Sequence, residues 1–402
     1  IYVCTDSGRE GEYIYRLVEQ QAQVHGKNRR RVWIDSQTEE EILRGIREAK
    51  DLSEYDNLAS AAYLRAKEDY LMGINFSRLL TLKYGNSISN YLGTDYAVVS
   101  VGRVMTCVLG MVVRREREIR EFIETPFYRI LATLGEQGQT FEGEWRAVKG
   151  SRWFESFELY KENGFKEKKD AEELIRCLSV SQPMQAVVEK MERKNENKNP
   201  PLLFNLAELQ NECSRLFKVS PDETLKIVQE LYEKKLVTYP RTDARVLSTA
   251  VAKEIYKNIR GLCSFEPTGA FAAEILENGS YKKITSTRYV NDKQITDHYA
   301  IIPTGQGLGA LKSVSARSAK VYELIARRFL SVFYPAAVYK KVSMVTMMGK
   351  ERFFSACKVL DQEGYLKVAN VKKNGEEQKD RAMLLQLQTL KKGSILPVKS
   401  LD

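Results

Sequence analysis

The sequence predicts a protein of several domains, with a mixed α/β and α+β fold class. The chain has 402 residues, which is long enough for two to four domains. It opens with an apolar run, a loop and a helical pattern over 1–23, the order expected of an α/β unit. Two long helical patterns follow over 58–84 and 100–120, and strand-like segments occur over 125–188 and 337–360.

Composition favours a globular protein with an anionic partner. The net charge of +10 suits nucleic acid, although a basic protein without that role would carry the same charge. No apolar run approaches the roughly 18–20 residues that cross a bilayer, so we expect no membrane partner. The 6 cysteines form no C-x-x-C pair, which argues against a zinc ribbon and fits a reducing, cytoplasmic compartment. No P-loop for ATP is present.

The loop after the first strand, TDSGREGE, is rich in carboxylates. Asp6, Glu10 and Glu12 lie at or just beyond the carboxyl end of that strand, where open α/β sheets place their ligand sites. Clustered carboxylates repel one another unless a cation holds them, and such hard oxygen ligands suit Mg²⁺. A solvated acidic turn at a helix N-terminus explains the same residues, and both interpretations stay open. The basic run 27–31 indicates a solvated turn.

Arginines on the two long helical patterns are candidates for contacts with nucleic acid. Arg65 and Arg78 lie on the first pattern, where solvated arginines are the commoner case. The second opens with SVGRVMT, in which Gly102 would let a phosphate approach the backbone and Arg103 could bind it. The alternative is a helix-starting turn with an exposed arginine.

The middle of the chain contains two predicted helices that lead to a single turn. The run 193–199 is charged, lacks apolar residues and is followed by two prolines, which predicts a linker or a domain boundary. An amphipathic helix follows over 204–217, and Ser220–Glu223 has the N-cap, proline and N3 glutamate of a helix start. That helix runs to about Lys235 and leads to LVTYPRTDAR over 236–245.

Tyr239 in this stretch is the candidate nucleophile. A tyrosine oxygen can attack a phosphodiester and hold the phosphate covalently, and the nearby Arg241 can grip a phosphate with two hydrogen bonds. Pro240 biases Tyr239 toward an extended backbone. Further along the chain, His298 could contact a phosphate or a leaving oxygen. Taken singly, a packing tyrosine and a structural histidine explain these residues as well.

The order of the motifs TDSGREGE, SVGRVMT, PPLLFNLAELQ, LYEKKLVTYPRTD and DHYAIIPT resembles the type IA DNA topoisomerases, in particular the topoisomerase III branch. The resemblance covers about residues 1–365. It implies that Tyr239 attacks single-stranded DNA and is joined to the 5′-phosphate, while Arg241 orients the scissile phosphate. It also implies that Asp6 and Glu10 are the metal-site acids of a Toprim domain that binds Mg²⁺. The DNA-binding candidates are then Ser100, Gly102, Arg103 and His298, with Arg65 and Arg78 added from the helix.

The resemblance also implies an architecture and an activity. We expect a partial Toprim α/β domain over 1–52, helical domains over 53–124 and 199–334, and a β-rich arch over 125–198 and 335–402, together forming a toroid. The implied reaction is Mg-dependent, ATP-independent cleavage of single-stranded DNA, strand passage and religation. We expect a cytoplasmic monomer, with recombination or helicase proteins as candidate partners.

Several departures from the family pattern bear on activity. Gly8 occupies the middle of the family's D-x-D-x-E motif, Met105 stands where glutamine is usual, and Ala244 replaces a common serine. A first Toprim strand with its own catalytic glutamate and lysine is expected before Ile1, and the close of the helical domain after Asp402. Two alternatives stay open. One is another Toprim nucleotidyl-transfer enzyme, which would lack the tyrosine block, and the other is a core fragment that binds single-stranded DNA without chemistry.

Overall fold

The computed structural model describes residues 1–34, 39–136, 139–295, 298–370 and 376–402. The chain divides into two compact units. The first unit contains residues 1–123, 202–265 and 281–325, and the second contains residues 124–201, 266–280 and 326–402. The finer division into five segments stays a prediction. Within the described ranges, no helix combines the length and the apolar character that crossing a bilayer requires.

The first unit begins with a small sheet. β1 (Tyr2–Val3) pairs in parallel with β2 (Arg30–Arg31), and β2 pairs antiparallel with β3 (Lys50–Asp51). Helix α1 (Arg9–Gln21) connects β1 to β2, and α2 (Glu39–Arg47) precedes β3. The strand–loop–helix order predicted for the start of the chain is confirmed. Helix α1 is the crossover connection that two parallel strands need.

The prediction of a solvated turn over 27–31 is wrong. Two of its arginines form β2, and Arg31 is fully buried. A run of like charges gives no local sign that one member has a carboxylate partner elsewhere in the chain, so the sequence pattern could not separate Arg31 from its neighbours.

Two long helices follow, as predicted. They are α3 (Asp56–Leu92) and α4 (Arg103–Arg120). Few residues of α3 are buried, and none of α4 is. The pattern of apolar residues along them therefore forms helices without a buried face within the described part of the chain.

The connection between α3 and α4 is tied to α3 by two side chains of the helix. The backbone N–H of Val99 donates to Thr81 Oγ1 at 3.0 Å, and that of Val101 donates to Ser77 Oγ at 2.9 Å. Ser100, which lies between the two anchored residues, is exposed.

The remaining helices of the first unit begin at residues that the sequence marks as caps. They are α6 (Leu206–Phe217), α7 (Pro221–Glu233) and α8 (Thr249–Leu262), and α10 (Ala316–Ser331) also begins here. Ser220 Oγ accepts from the N–H of Glu223 at 3.2 Å, which confirms the predicted start of α7. Side chains of Asn205 and Ser248 cap α6 and α8 in the same way.

The second unit is built on a closed antiparallel barrel with the strand order β10-β5-β4-β11-β8-β9. Its strands are β4 (Leu131–Glu136), β5 (Gln139–Arg146), β8 (Gln185–Lys198), β9 (Ala337–Met348), β10 (Glu351–Gln362) and β11 (Ile395–Leu401). A hairpin and four helices complete it: β6 (Leu159–Lys161), β7 (Gly164–Phe165), α5 (Lys168–Leu178), α9 (Gly269–Asn278), α11 (Leu366–Ala369) and α12 (Glu376–Thr389). The predicted mixed fold class with a strand-rich region is confirmed.

The linker predicted over 193–199 is not observed, because all but its last residue belongs to β8, but the alternative of a domain boundary agrees with the change of unit after Pro201. That part of β8 pairs with β9 from Arg193 opposite Val342 to Lys198 opposite Ala337. Strand pairing uses backbone groups, so a strand with a solvated face needs few apolar side chains. The prediction made from charge and the lack of apolar residues therefore missed a paired strand.

Two glycines of α3 differ in how closely the connection between α3 and α4 packs against them. A Cβ at Gly85 would lie 2.9 Å from the backbone oxygen of Ala97, whereas one at Gly73 would lie 3.6 Å from that of Val101. We expect Gly73→Ala to stabilise the protein by about 0.5–1 kcal/mol, because alanine favours a helix interior. Gly85→Ala should not be stabilised in this way, because the added Cβ would force the backbone at Ala97 to shift. Chemical denaturation of both variants beside the parent measures the difference, and equal stabilisation would contradict the packing.

Candidate functional site

The backbone before Tyr239 is held against the segment 298–304. The N–H of Thr238 donates to the backbone oxygen of Ile302 at 3.0 Å. The Thr238 hydroxyl donates to the oxygen of Ala300 and accepts from the N–H of Ile302, both at 3.0 Å. These bonds fix the direction in which Tyr239 leaves the backbone, although the two segments are far apart in the sequence.

The ring of Tyr239 lies between two other rings. The His298 ring centroid is 4.3 Å away at an interplanar angle of 42°, and that of Tyr232 on α7 is 5.4 Å away at 81°. Thr242 Oγ1 donates to the backbone oxygen of His298 at 2.8 Å, which holds this histidine beside the tyrosine segment. Tyr239 is half-buried, so its ring is restrained without being sealed in the core.

Tyr239 and His298 line a cleft of about 530 Å³. The loop after β1, over Cys4–Ser7, lines the same cleft and contributes Asp6. The other lining residues are Ile34, Tyr232, Glu233, Lys235, Val237, Thr238, Tyr299 and Thr304. The structure therefore brings the tyrosine, the histidine and the first acid of the TDSGREGE loop together, as a nucleophilic site requires.

A buried ion pair holds the acidic loop. Arg31 Nε donates to Glu12 Oε2 at 2.9 Å, and both side chains are fully buried. The guanidinium also donates to the backbone oxygens of Val3, Thr5 and Asp6, at 3.1, 2.7 and 2.6 Å. A charge in the interior must be paired, so Glu12 serves the fold and is not available to a cation in the cleft.

The first turn of α1 packs directly on this loop. A Cβ at Gly11 would lie 2.0 Å from the backbone oxygen of Asp6, and Thr5 Oγ1 donates to the backbone oxygen of Gly11 at 2.7 Å. Only glycine permits so close an approach. The second glycine of GREGE is therefore required by packing behind Asp6.

The predicted metal-site acids are only partly arranged for a cation. Asp6 is exposed and lines the cleft, but the Glu10 side chain is 70% exposed and accepts from Arg65 Nη1 at 2.9 Å. Across the described ranges, no group of three histidine, cysteine, aspartate or glutamate residues could hold a metal ion. The described carboxylates do not by themselves complete a Mg²⁺ site.

The predicted DNA-binding residues on α3, α4 and their connection do not line the cleft. Arg103 pairs with both carboxylate oxygens of Asp69, at 3.1 and 3.3 Å, and Arg65 pairs with Glu10. Arg78 is exposed and has no ion pair among the residues that the structure describes. A Cβ at Gly102 would meet open space, so nothing in the described chain blocks an approaching ligand there.

Two residues that line the cleft, Lys235 and Tyr299, were not predicted as site residues from the sequence. Arg241, which was predicted, is exposed and does not line the cleft. Burial raises the pKa of Tyr299 to about 12, so its phenol stays protonated at neutral pH. Only the pairing of 236–238 with 300–304 brings these side chains to Tyr239, and local sequence cannot reveal that pairing.

The two glutamates of the acidic loop should differ sharply in their effect on stability. We expect Glu12→Gln to destabilise the first unit by about 3–5 kcal/mol, because it leaves the buried Arg31 without its counter-charge. Glu10→Gln should cost about 1 kcal/mol or less, because its pair with Arg65 is exposed. Trp33 reports this unfolding, since its ring centroid lies 5.2 Å from the Arg31 guanidinium. Equal effects of the two variants on the denaturation midpoint of Trp33 fluorescence would contradict the assignment.

Comparison with known proteins gives consistent matches. The family model described as DNA topoisomerase matches residues 53–402. The DNA topoisomerase 3 of Bacillus subtilis strain 168 is 34% identical over 404 residues, which cover 100% of this chain and 50% of the relative. That of Bacillus licheniformis is 32% identical over the same shares of both chains. The chain thus spans about half the length of the curated relatives it matches.

A solved structure shares the fold. The full-length topoisomerase I from Thermotoga maritima matches with a TM-score of 0.60 and 24% identity, over 99% of this chain and 58% of that chain. At this level of identity the likeness concerns the fold alone.

Proposed function

This chain belongs to the type IA DNA topoisomerase family and resembles its topoisomerase III members, and from that premise we propose that it is the core of an enzyme that cleaves single-stranded DNA through Tyr239. One observation carries the proposal. Tyr239 is half-buried, held between the rings of Tyr232 and His298, and lines a cleft together with Asp6. A nucleophile needs this combination of restraint and access.

The proposed reaction exchanges one phosphate ester for another. The Tyr239 oxygen forms a bond to phosphorus, the bond from phosphorus to the 3′ oxygen breaks, and the 5′-phosphate stays on the tyrosine. The phenol loses its proton and the departing 3′ oxygen gains one. Resealing reverses each step after another strand has passed. Because one ester replaces another of similar energy, no ATP is consumed.

The candidate residues inside and outside the cleft have complementary roles in this proposal. His298 lies against the Tyr239 ring, where an imidazole can donate to or accept from a reacting oxygen. Arg241 is exposed, so it can reach a phosphate that approaches from outside the cleft. We assign Ser100, Gly102, Arg103, Arg65 and Arg78 to the single strand beyond the cleft. The net charge of +10 supports binding of the phosphate backbone.

Fewer observations support a bound metal ion than support the tyrosine nucleophile. Asp6 lines the cleft and can contribute a carboxylate to Mg²⁺, whereas Glu10 is bound to Arg65 and Glu12 to Arg31. The donors described here fall short of the oxygen shell that Mg²⁺ prefers. Magnesium therefore stays a prediction for this chain. A cytoplasmic location, a monomeric state and helicase or recombination partners likewise stay predictions.

Substitution of the two cleft tyrosines tests the proposed nucleophile. We expect Tyr239→Phe to bind a single-stranded oligonucleotide as the parent does, but to form no covalent adduct, because only the attacking oxygen is lost. Tyr299→Phe is the matched control, since Tyr299 lines the same cleft with its pKa raised to about 12. It should keep most of the adduct. The measurement is the fraction of labelled oligonucleotide that stays on the protein in denaturant with Mg²⁺ supplied.

Other outcomes would change the assignment. An adduct of normal yield in Tyr239→Phe would show that another residue is the nucleophile. Tight binding by the parent without any adduct would favour the single-strand binding module over the enzyme.

A further inference from the structure

Lys235 has a backbone conformation that lysine rarely adopts. Its φ is 60°, in the left-handed region that favours glycine. It ends α7, where its N–H donates to the oxygen of Tyr232 at 2.8 Å and the N–H of Leu236 donates to that of Leu231 at 2.9 Å. In this helix-ending Schellman pattern the left-handed residue is usually glycine. Thr304 Oγ1 donates to the backbone oxygen of Lys235 at 2.5 Å, which fixes the strained residue in place.

The fold gives no reason for a lysine at this position. The residue is exposed, and its ammonium makes no hydrogen bond or ion pair with any part of the chain that the structure describes. Glycine would make the same backbone bonds without the strain. Strain of this kind is retained where a side chain has a use, but Lys218 carries the same strain elsewhere, so the position of Lys235 must decide whether it has one.

The position of Lys235 suggests that use. It lines the cleft that contains Tyr239 and Asp6. Among the described residues that line the cleft it is the only lysine or arginine, since Arg241 lies outside. Negative charge spreads over the phosphoryl oxygens when a phosphodiester is attacked, and a cation already in place stabilises it.

We propose that Lys235 is a phosphate-binding residue of the cleft, which holds the phosphodiester of a single DNA strand beside Tyr239. The assignment rests on the proposed function and adds to it the residue that meets the phosphate. The ammonium can donate to phosphoryl oxygens as a compact charge on a flexible stem, while the fixed backbone keeps that stem three residues before Thr238 and its bonds. It transfers no proton and forms no covalent bond.

The substitution Lys235→Gly separates the two effects, because stability and DNA handling should change in opposite directions. We expect the melting temperature to rise by about 1–3 °C as the strain is relieved. Affinity for a short single-stranded oligonucleotide should fall, and the slope of log K against log salt should become shallower by about 0.7, the value for one lost phosphate contact. The rate of covalent adduct formation should fall about tenfold.

Lys218 provides a matched control within the same unit. It is also an exposed lysine at the end of a helix, α6, with a φ of 56°, but it does not line the cleft. Lys218→Gly should raise the melting temperature by a similar amount and leave affinity, salt slope and adduct rate unchanged. Lys235→Arg should retain the salt slope, because it keeps both the charge and the strain.

The results that would contradict the role of Lys235 differ from those that would contradict the proposed enzymatic activity. If Lys235→Gly binds and reacts as Lys218→Gly does, Lys235 does not bind the phosphate, whereas the activity of the parent is unaffected by that result. A lower melting temperature would contradict the strain on which the inference is built. If the parent forms no adduct, the enzymatic proposal fails, but the salt slope of oligonucleotide binding still decides the role of Lys235.

Discussion

The acidic side of the cleft depends on the buried ion pair between Arg31 and Glu12. Two charges removed from water are stable only when they remain paired and hydrogen-bonded. Arg31 meets this requirement with Glu12 and with backbone oxygens that include those of Thr5 and Asp6. The loop cannot move far without leaving a buried charge unpaired. The position of Asp6 in the cleft is therefore set by the interior of the sheet behind it.

The tyrosine side is set by a different means. Thr238 uses its backbone and its hydroxyl to bind the segment that follows His298, so Tyr239 and His298 are placed by one set of bonds. A restrained ring loses little freedom when it meets a phosphate, which is how positioning lowers a reaction barrier. One strained residue, Lys235, lies four positions before Tyr239, where helix α7 ends.

Helix α3 connects the acidic loop, the start of α4 and the segment before α4 through a stripe of polar side chains. Arg65, Asp69 and Ser77 are spaced four or eight residues apart, and they bind Glu10, Arg103 and the N–H of Val101 in turn. Both ion pairs are exposed and hence weak, about 1 kcal/mol or less each. Pairs of this strength exchange readily for another anion, as the proposed binding of a phosphate by these arginines requires.

Patterns that extend over a few residues predicted much of the fold. The start of α7 at Ser220 and the long helices α3 and α4 followed from caps and periodicity, which depend on neighbours in the chain. Predictions from charge alone were less successful. Arg31 in a basic run and the charged end of β8 both looked solvated, because their partners lie far away in the sequence.

The sequence by itself determined the family of this chain and the candidate nucleophile, since both reside in short ordered motifs around residues such as Tyr239. Only the tertiary structure decided which side chains share its cleft. It brought in Asp6, Tyr232 and Lys235, and it committed Glu12 to the interior. The physical reason is that burial, ion pairing and the pairing of distant segments are properties of the packed chain, and no local pattern of residue types encodes them.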